Sequence, residues 1–167
     1  RKERNDALDA FTLEAFAEQL AWRTESVAQM KELCDPEQLT DDELLSFDSW
    51  AYQLQRMQES EAFFYDGLVF DQMNGVQSFV PTFLINFHRV ENADDMTAYI
   101  KRVKAVKPRM QEAIANAVKG AEKGVISPSF ALDGTITQAQ SIITGKPFDR
   151  NAEKDSDLWA DMRLEVQ

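Results

Sequence analysis

The chain has 167 residues, 44% of them apolar and 28% charged, which suits one globular domain with its own core and excludes disordered, fibrous and low-complexity classes. With only 6 Gly and 5 Pro there is little turn material for a sandwich or a barrel, so helices are favoured. The formal charge of -11 repels phosphate backbones and anionic lipid, and so excludes nonspecific nucleic-acid and membrane-surface binding. That charge is uneven: residues 1–66 carry 16 acidic and 6 basic side chains, whereas residues 67–167 carry 13 and 12.

Leu13, Phe16, Leu20, Val27, Met30 and Cys34 recur at three- and four-residue steps or their sums, which predicts a first helix near 6–33. Thr40 with Glu43 is a capping box that opens a second helix, and Asp41, Asp42 and Glu43 suit the positive end of its dipole. Its apolar stripe runs through Leu44, Phe47, Ala51, Leu54, Met57 and Phe64 and should last to about Tyr65. Phe63, Phe64 and Tyr65 cover much of one turn's circumference, so burial on several sides is expected, in the bundle or against protein outside this chain. Asp66 and Gly67 break the pattern, and Phe70 to Gly75 reads as an irregular loop.

A short helix from about Ser78 to His88 follows, with Pro81 tolerated in its first turn. Asn92 caps a longer one, whose positions Met96, Tyr99, Ile100, Val103, Val106, Met110, Ile114, Ala117 and Ala121 keep phase across Pro108. Pro108 predicts a kink or a split there, and Gly120 and Gly124 supply the end. Ser127 to Gly145 carries two signals: Asp133-Gly134 suggests a hairpin, while Ser127-Pro128 and the face Ile136, Ala139, Ile142, Ile143 suggest a helix. The helix is favoured. Residues 145–154 form a polar loop, and a last helix starts at Ser156. The expectation is therefore all-α: an irregular bundle of five to seven helices, with one long helix kinked near Pro108, as a single domain over 1–167.

Cys34 stands alone, which excludes an intrachain disulfide or a thiolate zinc site and suggests a small half-buried thiol. The apolar stretch Phe79 to Phe87 is far shorter than the roughly 20 residues that span a bilayer. His88 is the only histidine and has Glu91 three residues later; one His without a Cys partner falls short of a zinc site, and no Gly-x-Ser-x-Gly turn accompanies it. The expected role is a helix-end histidine bonded to a neighbour. Glycine-rich phosphate cradles are absent, so no catalytic residue, metal ligand or cofactor is assigned to this chain. Lys101, Arg102, Lys104, Lys107 and Arg109 read as a solvated helix face.

Four stretches together resemble a known family: Asp35-Pro36-Glu37-Gln38-Leu39-Thr40, the loop Phe70 to Gln77, the segment Asp95 to Val103 with Tyr99 and Arg102, and Gly124 to Pro128. Residues from about Leu33 to Phe148 are similar to the first part of the domain-of-unknown-function 885 family, bacterial cell-envelope lipoproteins similar to zinc metallopeptidases. The resemblance implies an all-helical enzyme whose zinc and glutamate base come from a His-Glu-x-x-His helix well downstream. No such motif is in this sequence. The chain starts at Arg1 without Met and stops at Gln167 inside a helical pattern, which suggests the N-terminal fragment of something longer.

The expected role is then a non-catalytic N-terminal portion that walls or covers a peptide-binding cleft, lipid-anchored in the bacterial periplasm or envelope in its full-length form. Gln72, Asn74 and Gln77 are the candidate contacts, because amides on a Gly-containing loop can bond a peptide backbone. The alternative is a self-contained helical binding or adaptor module. Expected partners are the remainder of its own longer chain, a second copy through Phe63, Phe64, Phe79, Phe83 and Phe87, or a peptide.

Overall fold

A computed structural model describes residues 4–165. Among these there are six α-helices, two short 3-10 turns and one isolated bridge between Lys146 and Asp155. The helices are α1 (Leu13–Leu33), α2 (Asp41–Ser60), α3 (Val76–Phe87), α4 (Ala93–Glu122), α5 (Ser129–Ile142) and α6 (Asp157–Glu165). The all-α expectation holds. Residues group into two compact units: Phe11–Gly67 is one, and Arg1–Ala10 with Leu68–Gln167 is the other.

The first unit is a helical hairpin. Thr12 caps α1, accepting from the Ala15 amide at 3.1 Å, so the helix begins seven residues later than its periodicity suggested. The capping box of α2 is complete: the Thr40 hydroxyl accepts from the Glu43 amide at 3.4 Å, and the Glu43 carboxylate accepts from the Thr40 amide at 2.9 Å. α2 stops at Ser60, and a 3-10 turn, Glu61–Phe63, takes the place of its expected last turn. Phe64 packs edge-on against Phe16 and Tyr65, with centroids 5.5 and 5.0 Å away. Phe63 corrects the expectation of burial, since it is 63% exposed. As the immediate neighbour of Phe64, it points away from the stripe that Phe64 continues. Trp22 and Trp50 meet edge to face, and the Arg23 guanidinium lies over the Trp50 ring at 4.4 Å. Cys34 is half-buried, as expected.

In the second unit α3 packs against α4, α5 and α6. Its buried face is Gln77, Val80, Leu84 and, at the C-cap, His88, spaced as one side of a helix demands. Phe79, Phe83 and Phe87 stack at 6.2 Å steps on another face. Because α3 begins at Val76, Pro81 sits in its second turn rather than its first and forgoes the amide that would meet the Gln77 carbonyl.

Asn92 caps α4 by accepting from the amides of Asp94 and Asp95. α4 continues through Pro108 instead of splitting. It ends in a Schellman turn: Val125 N donates to the Gly120 carbonyl and Gly124 N to the Ala121 carbonyl, both at 2.9 Å, with Gly124 at φ +86°. The contested segment is the helix α5, and Asp133-Gly134 lies within it.

The α2 cap generates a prediction. The Thr40 amide, then its hydroxyl, hold the Glu43 carboxyl below its ordinary value of 4.5. The folded state thus binds that proton more weakly than the unfolded chain, so the cap's contribution is complete above pH 4.5 and is lost as pH falls through the lowered folded value. Thr40→Ala should lower stability by about 1 kcal/mol near neutrality in urea titrations, and acidification should shrink the gap to wild type. A gap that widens on acidification would contradict the cap.

Candidate functional site

Two polar assemblies sit at the ends of the buried face of α3. At its N-terminal end lies the loop that carries Gln72 and Asn74 and leads into Gln77 in the first turn of α3. Asp71 organises it: its Oδ1 accepts from the amides of Met73 and Asn74, both at 2.7 Å, an Asx turn. Val76 N donates to the Val69 carbonyl at 3.1 Å and closes the loop. Gln77 is 4% exposed and donates through Nε2 to the Asp71 carbonyl at 2.5 Å and to Gln138 Oε1 of α5 at 2.9 Å. Gln138 in turn donates to the Gln72 carbonyl at 3.0 Å, and Ser127 Oγ to the Phe70 carbonyl at 3.0 Å.

The loop therefore sorts the three sequence candidates. Gln77 is a buried brace. Gln72 and Asn74 are exposed, and their carboxamides have no partner among the described residues. The Gln72 carboxamide lies against Gly134, where a Cβ would collide with it. Gly75 is buried at the N-cap of α3, and a Cβ there would come within 2.5 Å of both Asp71 N and O. Backbone cannot yield as a side-chain tip can, so Gly75 permits the loop's close return. Sequence reasoning missed Gln138 and Ser127, which act on the loop from more than fifty residues away with no local signal.

At the other end His88 is 3% exposed. Its Nδ1 lies 2.7 Å from Arg102 Nη1 and its Nε2 3.2 Å from the Asp95 carbonyl. A guanidinium only donates, so Nδ1 accepts, and Nε2 carries the proton that meets the carbonyl. Tyr99, with no exposed surface, stands edge-on to the imidazole at 5.2 Å and donates its hydroxyl to Asp161 Oδ2 of α6 at 3.1 Å.

Arg102 also reaches the N-terminal segment: Nε donates to the Ala7 carbonyl at 2.9 Å, Nη1 to Asn5 Oδ1 and Nη2 to the Arg4 carbonyl, both at 3.3 Å. Its guanidinium lies 5.0 Å from the Phe83 centroid. Burial pushes its pKa down, and Asp9 and Asp6 oppose that. Lys101 bonds Asp6 at 2.9 Å and holds that carboxyl below its ordinary 3.8. Arg102 is thus an internal anchor, which corrects the reading of the basic run as wholly solvated; Arg109, paired with Glu112 at 3.0 Å, is also partly buried.

The model of the family described as Bacterial protein of unknown function (DUF885) matches residues 1–166. The chain belongs to this family. No curated protein and no solved structure matches it. The zinc site implied by the family resemblance does not fit the residues at hand. Both ring nitrogens of His88 are engaged, and among the described residues no three His, Cys, Asp or Glu side chains gather as a metal site would require. Nor is any described helix long and apolar enough to cross a membrane.

Arg102→Ala should destabilise the protein by about 2–3 kcal/mol, because it strands a buried imidazole nitrogen and the acceptors of residues 4–7. Arg102→Lys should recover only part of that loss, since one ammonium cannot reproduce the guanidinium fork. Urea midpoints would show it, together with faster hydrogen exchange at the amides of residues 5–10. A midpoint equal to wild type would remove Arg102 from its anchoring role.

Proposed function

We propose that this chain is the non-catalytic N-terminal helical portion of a zinc-metallopeptidase-like bacterial envelope lipoprotein, and that it walls or covers a peptide-binding cleft. The observation that carries this reading is the double engagement of His88: the only histidine is built into the scaffold and is 3% exposed, so it serves neither as a general base nor as a metal ligand. Family membership supports it further. Zinc chemistry, and the lipid anchor that would hold the protein in the envelope, belong on this proposal to parts of the family's longer chains outside this sequence. Gln72 and Asn74 supply the peptide contact. Each exposed carboxamide offers a donor and an acceptor, the pairing that an extended backbone presents, and the braced loop holds both in place.

Purified chain mixed with zinc and a peptide library should give no cleavage, while retaining weak affinity for unstructured peptides. Gln72→Ala with Asn74→Ala should lower that affinity about five- to tenfold, as the loss of two exposed hydrogen-bonding groups predicts. Metal-dependent turnover by a homogeneous sample would overturn the non-catalytic reading. Unchanged affinity in the double variant would overturn the assigned contact.

A further inference from the structure

The acidic hairpin is built like half of an interface. It carries 13 acidic residues against Arg23, Lys31 and Arg56, and thus nearly all the net charge of the chain. Two of those three cations are already engaged, Arg56 with Glu59 at 2.5 Å and Arg23 over Trp50. Among its described residues only Val27 is fully buried, while Trp22, Leu33, Leu45 and Tyr52 are each more than half exposed. Two helices of 21 and 20 residues that bury one side chain leave apolar surface for another element.

Between α1 and α2 runs an open groove of about 400 Å³. Val27, Ala51 and Leu54 supply its apolar lining, with Asp48 and Tyr52 exposed at its edge and Lys31 as its single cation.

We propose that this groove docks a cationic, amphipathic helix of a partner protein. The apolar lining takes the partner's hydrophobic stripe at helical spacing, and the acidic excess of the whole hairpin, with Asp48 at the groove itself, attracts its lysines and arginines. Charge selects this occupant over a second copy, because two hairpins with such an acidic excess repel one another face to face. The attraction is long-ranged and weakens with salt. It is independent of the peptide contact assigned to Gln72 and Asn74.

The probe is a fluorescent synthetic helix with a leucine stripe and lysines elsewhere, titrated with the full chain and compared with the same helix carrying glutamate for lysine. The lysine helix should bind, more weakly as salt rises, and the glutamate helix should not. Asp48→Lys with Tyr52→Ala should lower the affinity about tenfold, as the loss of an aromatic anchor together with a reversed charge does at other interfaces. Glu37→Lys, exposed and outside the groove, should change it far less. If the double variant loses helicity by circular dichroism, the exposed groove position Gln55→Lys carries the same comparison.

Equal affinities for wild type and the groove variants would overturn the proposal, as would a lysine helix that fails to bind. Light scattering that finds a dimer dissolved by Tyr52→Ala would assign the groove to a second copy instead, and overturn it too.

Discussion

The buried face of α3 begins and ends in a polar side chain, Gln77 at one end and His88 at the other, and a buried polar group has to find partners or cost the fold dearly. Much of the larger unit answers that requirement. Gln77 draws in the Asp71 carbonyl and Gln138, which brings α5 to the loop. His88 draws in the backbone of Asp95 and the guanidinium of Arg102, which sets α4 against α3. Val80 and Leu84 between them supply apolar burial but little register, since such contacts are non-directional. Two orphans remain among the described residues: Arg109 Nε on α4, and Gln77 Oε1, which is wedged against Gly75.

Arg102 carries the His88 constraint outward. Four hydrogen bonds from its guanidinium serve His88 Nδ1 on one side and residues 4–7 on the other, so a segment nearly a hundred residues away in sequence is tied to the same buried network. Tyr99 extends that network to Asp161 on α6. A histidine held in this way orients helices; it is not available to move protons at a substrate. The loop beyond the opposite end of α3 is fixed in the same way, since Asp71, Gln77 and Gln138 bond its backbone and leave the carboxamides of Gln72 and Asn74 exposed.

Features written in local chemistry were legible in the sequence. Thr40 with Glu43, Asn92 and Gly124 mark real helix ends because capping is settled within four residues. The 3.6-residue pattern likewise placed α4 and favoured α5. Misplaced features depend on distant partners. Residues 6–12 continue a plausible helical register, yet Arg102 and Lys101 claim residues 4–7 for an irregular segment, and Thr12, an available cap signal, opens α1 instead. Gly134 reads as half of a turn because the carboxamide of Gln72, which occupies the space above it, is invisible locally. The anchoring role of Arg102 left one trace, the polar stripe Asp95, Tyr99, Arg102 along α4, but nothing nearby says that His88 faces it. Gln72, Asn74 and Gln77 look alike in sequence, and only the depth of the loop's return separates the brace from the two exposed amides.

The structural role of His88 is open to one direct observation, the nitrogen NMR spectrum of its ring in the folded chain, simplified by its being the only histidine. The account predicts the tautomer with the proton on Nε2 and an accepting Nδ1, with both signals unmoved by added zinc. An Nδ1-protonated ring, or signals that shift on titration with zinc, would contradict it.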